Sequence, residues 1–378
     1  MKILQLALSL GAGGAERLVL GLCNEHADNT DDEIVLVTLK DNSISKNVHY
    51  LPNLSKRVRF INLHCQSALQ AKAIWRVLKI IRREKPDIVH CHTNVLLLFF
   101  PVIFLKNIYF FQTIHTLAKR QYDNANIIKR KIMAYLYSHN KVKPVTISQT
   151  CHQSYWDTYR LSNDICIYNG CEAMVTTDEH EIVKKEIDKL KRNDETVVFI
   201  HVARHHPVKN HKRLFRNFTR LEEEGYNFVL LVLGDNYDSL IDQYHNNRYI
   251  LFLGAKNNVG DYLAQADYFV LSSDAEGLPM TLLEAMSMGV VPISTPAGGV
   301  VDVIKDGVNG YLTKSFEDEE FFQILTKAIH EKGTISSESL KKEYKEKYSI
   351  DICAEKYYDA YKKYYQHDKI QKRSSCIS

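Results

Sequence analysis

Short apolar runs rich in Val, Ile and Leu recur along this chain of 378 residues and alternate with segments of helical periodicity. In chain order, the runs of the first half are KILQLAL, EIVLVTL, VRFINL, DIVHCH, YFFQTI, VTIS and ICIYN, and those of the second half are TVVFIHVA, FVLLVLG, YILFLG, DYFVLSS and VVPIST. Strands that are apolar throughout are buried on both faces, which is typical of parallel sheets covered by helices. Two such series predict an α/β protein with two doubly wound, Rossmann-like domains, each with its own core.

The boundary between the two series is a charged segment, residues 176–195, which is typical of a solvated helix after a linker. We therefore expect a first domain over residues 1–172 and a second over residues 173–351. A last helix at about 352–368 has Tyr and Ala spaced to pack one face, and the tail 369–378 is expected to be disordered.

Charge and cysteine content exclude several classes of protein. The net charge of +4 is too small to indicate a nucleic-acid partner. The eight cysteines are scattered and form no C-x-x-C pair, which indicates reduced thiols in a cytosolic protein rather than a disulfide framework or a zinc site. The expected location is the cytoplasm, with peripheral attachment to the inner face of the membrane left open.

Two apolar segments raise the question of a membrane. The N-terminus, MKILQLALSLGAGG, is better explained by a strand, a turn and a following amphipathic helix than by a signal peptide. The stretch VLLLFFPVIFL, residues 95–105, is too short to span a bilayer and has Pro101 in its middle. We therefore expect no transmembrane helix, and this stretch fits either core or part of a membrane-facing surface.

The unusual polar and glycine residues nearly all follow strands. In open parallel sheets, ligands bind beyond the carboxyl ends of the strands, so with two facing domains the expected site is the cleft between them. His90 and His92 alternate on one strand, so only His92 is expected to face that cleft. The residues that follow strands are GAGG (11–14), His92, His115, ARHHPVK (203–209), LGD (233–235) and Glu276.

The stretch EGLPMTLLEAMSMG, residues 276–289, places two acids around the start of a helix. Pro279 suits the first helical position, and the free N–H groups of a first turn carry a partial positive charge that binds phosphate. Glu276 lies in the loop before that turn, whereas Glu284 lies farther along the helix, on the order of 7 Å from Pro279. Carboxylates on either side of a phosphate site can accept hydrogen bonds from the hydroxyls of a nucleotide-sugar. The alternative is a capping acid and a solvated helix acid.

These motifs together resemble those of the retaining glycosyltransferases of family 4, which have the GT-B fold. EGLPMTLLEA is similar to the E-x7-E motif of that family. The resemblance implies two facing Rossmann-like domains, with the last helix crossing back onto the first. The other similar segments, which extend over most of the chain, are GAGGAER, PDIVHCH, TIHT, IYNG, ARHHPVK and GVVPISTPAGGVVDVIKDGVNGYL.

The resemblance also implies a role for each matching residue. The catalytic group would comprise His115 beside the reacting carbon, Arg204 and Lys209 at the diphosphate, and Glu276 at the hydroxyls of the donor sugar. Glu284 would bind the ribose hydroxyls. The other donor-binding positions would be Gly13, Gly14, Gly234, Leu278, Pro279, Met280 and Thr281, and the acceptor-side positions would be His92 and Glu16.

The implied reaction moves a sugar from a nucleotide-diphosphate-sugar to a hydroxyl of a glycan or lipid-linked acceptor, with retention of configuration. Arg, Lys and a helix N-terminus can stabilise the charge on the leaving diphosphate without a metal. No Asp-x-Asp motif lies near these residues, and in the family the departing phosphate oxygen is the proposed base. We therefore expect no metal and no cofactor, a UDP-linked hexose or N-acetylhexosamine as donor, and a role in cell-surface polysaccharide synthesis.

Several residues keep a structural alternative. Residues 119–143 contain seven Lys or Arg against one Asp, which fits either a solvated helix or a surface that meets anionic lipid head groups. Glu16 fits a first-turn helix charge as well as an acceptor contact. His205, His206 and His211 have no acid or Cys partner, so polar loop surface is favoured over a metal site.

Three other functions compete with a transferase. An NAD-dependent dehydrogenase is disfavoured because Glu16 takes the place of the third Gly of G-x-G-x-x-G. A nucleotide-sugar epimerase shares the GT-B fold but needs no acceptor. A nucleotide-sugar-binding protein without turnover is weakened by the presence of Arg204, Lys209 and both acids. Dependence on an acceptor separates transferase from epimerase, and any product excludes a pure binder.

Overall fold

The protein is described by a computed structural model in which the chain forms two compact units. We call Met1–Cys171 with Ser349–Ser378 unit 1, and Glu172–Tyr348 unit 2. These limits lie within a few residues of the expected domain boundaries. The residues that the structure describes are 1–41, 49–65, 71–244 and 247–375.

Unit 1 is built on a sheet of seven parallel strands in the order β3-β2-β1-β4-β5-β6-β7, where the labels follow chain order. The order reverses direction between β1 and β4, and such a switch point is where open α/β sheets bind ligands. The strands are β1 (Lys2–Ala7), β2 (Glu33–Lys40), β3 (Arg59–Cys65), β4 (Ile88–Cys91), β5 (Tyr109–Ile114), β6 (Lys143–Thr146) and β7 (Ile165–Cys166).

Helices connect these strands, and right-handed crossovers place them on both faces of the sheet. The basic segment 119–143 is not one helix but parts of two, followed by the start of β6. The helices are α1 (Gly14–Asn29), α2 (Ala71–Glu84), α3 (Leu96–Phe104), α4 (Ala118–Asp123), α5 (Ile127–Ser138) and α6 (Gln149–Tyr159), and Leu51–Asn53 forms a 3-10 turn.

Unit 2 repeats the design with six parallel strands, whose order β10-β9-β8-β11-β12-β13 reverses between β8 and β11. The strands are β8 (Val197–Val202), β9 (Phe228–Leu233), β10 (Ile250–Gly254), β11 (Tyr268–Leu271), β12 (Val291–Ser294) and β13 (Tyr311–Leu312). The helices are α7 (His180–Asp188), α8 (His211–Glu223), α9 (Asp238–Tyr244), α10 (Val259–Leu263), α11 (Met280–Ser287), α12 (Asp318–His330) and α13 (Ser337–Lys347), and the 3-10 turns are Pro207–Lys209 and Gly298–Asp302.

Burial explains why the apolar runs became strands. All six residues of β9, FVLLVL, are buried, as are all four of β4 and of β11. Each large apolar side chain buried in this way stabilises the fold by roughly 1.5–3 kcal/mol relative to an exposed one. The prediction of two doubly wound parallel sheets is confirmed. The two-residue strand β13 was not predicted, because so short a segment shows no periodicity.

The last helix, α14 (Ile350–Ser375), belongs to unit 1 and packs against α1. Its buried face is formed by Ala354, Tyr357 and Tyr361, as the Tyr and Ala spacing predicted. The helix continues to Ser375, beyond position 368, where a disordered tail was expected to begin, and residues 376–378 lie outside the described part. Among the helices that the structure describes, none combines the length and hydropathy of a transmembrane segment.

Candidate donor and acceptor sites

Two loops meet at the switch point of unit 2. One follows β8 and ends at Lys209, and the other follows β11 and carries Glu276. The ammonium of Lys209 donates to Oε1 of Glu276 over 2.7 Å, and the hydroxyl of Ser273 donates to the same oxygen over 2.6 Å. The Lys209 and Glu276 side chains are only 19 and 11% exposed, so solvent screens this pair less than it screens a surface ion pair. The fold thus joins a base and an acid that are 67 residues apart in sequence.

Hydrogen bonds hold the backbone from which the Lys209 side chain extends. Lys209 is the last residue of the 3-10 turn Pro207–Lys209. The hydroxyl of Ser272 donates to the carbonyl of Lys209, and the N–H of Asp274 donates to the carbonyl of Val208, each over 2.8 Å. These two bonds connect the loop after β8 directly to the loop after β11.

The segment after β12 supports Glu276 from another side. Gly298 has φ +56°, in the left-handed region that favours glycine. A Cβ built at Gly298 would lie 2.0 Å from the carbonyl oxygen of Glu276. Beside it, the N–H of Gly299 donates to the carbonyl of Gly277 over 2.7 Å. A side chain at position 298 would therefore displace the loop that carries Glu276.

Arg204 begins the same loop as Lys209 but has a different environment. Its side chain is exposed and forms no hydrogen bond or ion pair with any residue in the described part of the chain. Gly234, with φ +139°, brings the turn after β9 so close that a Cβ there would lie 1.9 Å from the carbonyl oxygen of Ala203. The N–H of His205 donates to the carbonyl of Asp235 over 2.8 Å. Gly234 thus positions the backbone of Arg204 and leaves its guanidinium available to an anion.

Helix α11 begins directly after this loop. Its N-cap is Pro279, so the helix starts at Met280, one residue later than the sequence predicted. Proline has no side-chain group that can cap the first turn, and the N–H groups there keep the partial positive charge of a helix N-terminus. Leu278, Pro279 and Met280 are buried and Thr281 is half-buried, and their proposed donor contacts stay a prediction.

Glu284 lies inside α11 and is only 5% exposed. The alternative of a solvated helix acid is therefore wrong for this residue. Glu276 is held by Lys209 and Ser273 rather than by the helix end, so the alternative of a capping acid is wrong as well. Acids are seldom buried this deeply, so the position of Glu284 differs from that of an ordinary helix acid.

A pair of buried histidines lies beneath the loop that carries Arg204 and Lys209. His201 is in β8 and His211 opens α8, and their Nε2 atoms are 3.1 Å apart. Nδ1 of His201 lies 2.8 Å from the carbonyl oxygen of Val270. The hydroxyl of Tyr237 lies 2.8 Å from Nε2 of His211 and donates to the carbonyl of the loop residue Ala203 over 2.7 Å.

These contacts let us assign the protons on both rings. A carbonyl oxygen only accepts, so His201 carries its proton on Nδ1 and accepts at Nε2. His211 carries its proton on Nε2 and shares it between His201 and Tyr237. Burial lowers the pKa of His201 to about 4 and also lowers the pKa of His211. Both rings are therefore neutral at pH 7, and protonation of His201 would set two N–H groups against each other.

We expect the free energy of unfolding to fall as the pH decreases from 6.5 toward 4. The pKa of folded His201, about 4, lies below its ordinary value of 6.5, so the unfolded state takes up the proton first. The neutral ring of His201 makes its full contribution to the free energy of unfolding above pH 6.5. About 2 kcal/mol of that contribution would be lost at pH 5. Denaturant titration at pH 6.5 and at pH 5 measures this change in the free energy of unfolding. Other buried histidines titrate in the same sense. The test is therefore that the free energy of unfolding changes less between the two pH values in His201→Asn than in wild type.

In unit 1, His92 and His115 follow the neighbouring strands β4 and β5 and contact each other. Nδ1 of His92 is 3.3 Å from Nε2 of His115, and Nε2 of His92 is 2.9 Å from the side-chain oxygen of Gln5 in β1. Burial lowers the pKa of His92 well below its ordinary value and that of His115 to about 4. Both rings are therefore neutral hydrogen-bonding groups at pH 7 rather than cations.

His90 and His92 lie on the same face of the sheet. Their rings stack with centroids 4.2 Å apart. The argument that alternation along the strand separates them was wrong, because residues two apart on a strand point to the same face. Depth separates their roles instead. His90 is fully buried and hydrogen-bonds to the hydroxyls of Tyr361 in α14 and Thr113 in β5, which commits both of its nitrogens.

Glu16 and His92 come together within unit 1. Gly13 is the N-cap of α1, Gly14 is its first residue, and the carboxylate of Glu16 folds back over Gly13. The two acceptor-side residues share one cavity of about 20 Å³, which has room for a water molecule rather than a sugar. Their acceptor role stays a prediction. The other residues lining the cavity are Ala7, Leu8, Ala15 and Val19.

Three residues that position the unit 2 site were not found from the sequence. Ser273 could have been noticed, because a Ser-Ser pair directly follows a strand. Thr295, whose hydroxyl donates to the carbonyl of Ser273 over 2.5 Å, and His201 have no local signal, since their partners are distant in sequence. The expectation of polar loop surface was wrong for His211, which is buried against His201, whereas His206 is exposed.

A larger groove in unit 2, of about 610 Å³, contains none of the expected site residues. Arg216 pairs with Asp318 and Arg220 with Glu319, so much of its basic charge is already neutralised. Within the described residues, no group of three or more His, Cys, Asp or Glu could hold a metal ion, and metal independence stays a prediction. The groove is lined by Lys212, Arg216, Thr219, Arg220, Glu223, Gln243 and Tyr244.

Two family models match most of the chain. The model described as Glycosyltransferase Family 4 matches residues 12–173, and the model described as Glycosyl transferases group 1 matches residues 183–347.

Three of the curated relatives match over about half to three quarters of the chain. N-acetyl-alpha-D-glucosaminyl L-malate synthase of Bacillus anthracis is 28% identical over 48% of this chain and 51% of its own, about half the length of that relative. An uncharacterized glycosyltransferase of Methanocaldococcus jannaschii is 27% identical over 71% of this chain and 72% of its own. UDP-Gal:alpha-D-GlcNAc-diphosphoundecaprenol alpha-1,3-galactosyltransferase of Escherichia coli is 26% identical over 75% of each chain.

Solved structures match nearly the whole chain. Anabaena HepE in complex with UDP and glucose has a TM-score of 0.78 at 16% identity, over 95% of this chain and 99% of that one. The apo form of the lipopolysaccharide outer core galactosyltransferase WaaB has a TM-score of 0.71 at 20% identity, with the same coverage. At these identities the likeness concerns the fold alone.

Proposed function

Since the chain belongs to the family 4 glycosyltransferases, which have the GT-B fold, we propose that it is a retaining, metal-independent transferase. It would move a sugar from a nucleotide-diphosphate-sugar to a hydroxyl of a glycan or lipid-linked acceptor. The donor would be UDP-linked, and the product would enter the synthesis of a cell-surface polysaccharide.

The Lys209–Glu276 pair is the observation that carries this proposal. The pair lies at the switch point of unit 2, where doubly wound sheets bind ligands. The N-terminus of α11 follows it in the chain, and anions are stabilised at such helix ends. A cation, an acid and a helix end are what a sugar diphosphate requires, since it combines hydroxyls with negative charge.

In the proposed reaction the bond between the sugar carbon and the diphosphate oxygen breaks, and the diphosphate keeps the electron pair. Lys209, Arg204 and the amides at the start of α11 stabilise that growing charge. The acceptor oxygen bonds to the sugar carbon on the same face, and its proton passes to the departing phosphate oxygen. Glu276 orients the donor sugar through its hydroxyls, and Glu284 binds the ribose.

The relatives support the choice of substrates. The E. coli relative is named for a UDP-galactose donor and a diphosphoundecaprenol-linked acceptor, and the Anabaena structure contains UDP and glucose. A lipid-linked acceptor would bring the reaction to a membrane surface. The basic segment 119–143 belongs to this proposal as a part of unit 1 that would meet anionic lipids.

Sugar transfer is expected to continue at full rate in excess EDTA. The reason is that Lys209, Arg204 and the start of α11 would supply the positive charge that a divalent ion supplies elsewhere. The measurement compares the initial rate in EDTA with the rate in added magnesium or manganese. Complete loss in EDTA that either ion restores would contradict the proposed mechanism.

A panel of nucleotide-sugars tests the function most directly. A ligand at 100 times its Kd should stabilise the protein by about 2.7 kcal/mol, which a thermal shift detects. The stabilising donor is then incubated with and without acceptor. Product that forms only with acceptor supports a transferase, a changed sugar without acceptor supports the epimerase, and binding without any product supports a binding protein.

A further inference from the structure

Exposed apolar side chains are concentrated on three helices of unit 1. Among the described residues, seven large apolar side chains of unit 1 are exposed, and six of them lie on α2, α3 and α5. These six are between 46 and 67% exposed, well beyond the exposure of a side chain that packs in a core. They are Trp75, Ile103, Phe104, Ile127, Ile128 and Tyr135.

The three helices form one continuous surface. Helix α3 packs against both α2 and α5. The ring of Trp75 on α2 stacks on Phe100 of α3 with centroids 5.6 Å apart, and Phe100 stacks on Phe104 with centroids 6.0 Å apart. Trp75 and Phe104 are therefore neighbours through Phe100, and we call the surface of α2, α3 and α5 the apolar–basic face.

Charge on this face has one sign. The three helices contain eight Lys or Arg and a single acid, Glu84, although the whole chain has a net charge of only +4. Glu84 is buried and pairs with Arg59 and Arg83, so it does not offset the exposed lysines. Helix α3 has no charged residue at all. An apolar ridge is thus flanked by positive charge, and of the eight basic residues only Arg83 pairs with an acid among the described residues.

The basic residues of the face differ in how free they are. Lys72, Lys79 and Lys131 are exposed and form no ion pair with any described residue. Arg130, in contrast, donates to the backbone carbonyls of Tyr122, Ala125 and Asp123 and so supports the chain between α4 and α5. The lysines rather than Arg130 are therefore the groups that can meet a partner.

We propose that the apolar–basic face docks on a bilayer that contains anionic lipids. Tryptophan and phenylalanine side chains favour the interface between head groups and acyl chains, and flanking lysines pair with anionic head groups. This inference rests on the proposed function in one respect, that a lipid-linked acceptor lies in the same membrane. It extends the expected surface from residues 119–143 to α2 and α3, and it removes Arg130 from the contact.

A second copy of the chain fits this face less well. A symmetric dimer would bring the same patch of both copies together, and the exposed Lys72, Lys79 and Lys131 of one copy would oppose those of the other. Anionic lipid satisfies the apolar ridge and the positive charge at the same time.

The test is sedimentation of the full chain with vesicles of phosphatidylglycerol and phosphatidylcholine, and with vesicles of phosphatidylcholine alone, in the absence of donor and acceptor. We expect binding to the anionic vesicles only, and weaker binding at 1 M salt, where the Debye length is about 3 Å. The variant Lys72→Glu/Lys79→Glu/Lys131→Glu and the variant Trp75→Gln/Phe104→Gln/Ile128→Gln should each lower the partition coefficient roughly tenfold or more.

Matched controls change the same residue types in unit 2. Ile182→Gln/Val308→Gln alters exposed apolar positions, and Lys184→Glu/Lys185→Glu/Lys305→Glu reverses three exposed lysines. Both controls should bind like wild type, and thermal unfolding checks that every variant folds.

Failure of wild type to bind anionic vesicles at low salt overturns the docking proposal. Normal vesicle binding by either variant of the apolar–basic face also overturns it. The same holds if light scattering shows that the substitutions only convert a dimer to a monomer. Transfer to a water-soluble acceptor analogue is measured separately. That activity tests the proposed function, so the two proposals fail independently.

Discussion

Replacing Lys209 with Ala is expected to lower turnover roughly 100- to 1,000-fold while the protein still folds and still binds its nucleotide-sugar. Negative charge on the diphosphate grows as the sugar leaves, so a cation there stabilises the transition state more than the bound donor. Loss of one preorganised charge partner of this kind raises the barrier by about 2.7–4 kcal/mol. Steady-state rates, with donor affinity measured separately, test the prediction.

A neighbouring lysine provides the control. Lys212 is the second residue of α8, the helix that follows the loop, but its side chain is exposed, and Lys212→Ala should leave turnover unchanged. Lys209→Arg should rescue only part of the activity, because a planar fork replaces a compact charge. Near-normal turnover in Lys209→Ala would mean that the lysine is only a structural charge.

The ion pair with Glu276 adds a question that the sequence did not raise. Lys209 could act on the diphosphate itself, or it could act by holding Glu276 in place. The double variant Lys209→Ala/Glu276→Ala separates the two. If the lysine only holds Glu276, the double variant should be no slower than Glu276→Ala alone, whereas separate roles make the two losses multiply.

Glu276→Ala is expected to lower turnover by roughly 100-fold, whereas Glu284→Ala should mainly weaken donor binding. Glu276 would orient the sugar whose bond breaks, and Glu284 would bind the ribose, which is remote from that bond. Steady-state kinetics with varied donor separate the two, since Glu276→Ala should reduce kcat and Glu284→Ala should raise KM.

Glu276→Gln is a useful companion variant. Its amide oxygen can still accept the hydrogen bond from Ser273, while the charge that pairs with Lys209 is removed. A smaller loss than in Glu276→Ala would show that hydrogen bonding to the sugar matters beyond charge. Purely affinity-type losses in both Glu276→Ala and Glu284→Ala would contradict the separate roles assigned to the two acids.

Much of the fold could be predicted because it rests on local patterns. An apolar run such as FVLLVL in β9 indicates a strand buried on both faces. This pattern can be recognised without knowing which elements pack against the strand. The start of α11 was predicted to within one residue, since proline fixes its own backbone angle. Errors arose where a pattern was misread, as for His90 and His92, or was too short to be seen, as for β13.

The candidate site was predicted as separate pieces. The sequence shows basic residues at Arg204 and Lys209, acids at Glu276 and Glu284, and strands before these segments. It therefore determined that basic and acidic groups would gather at a sheet edge. That Glu284 is buried rather than solvated could not be read locally, because burial depends on what packs against the helix.

By itself, the sequence determined two parallel α/β sheets and the loops that carry chemistry, because strand burial and turn formation depend on residues close together in the chain. Only the tertiary structure decided which groups meet. It paired Lys209 with Glu276, set His201 against His211, and covered His90 with α14. Each of these contacts joins residues from different elements, and parallel strands can bring them together only after the whole sheet has assembled.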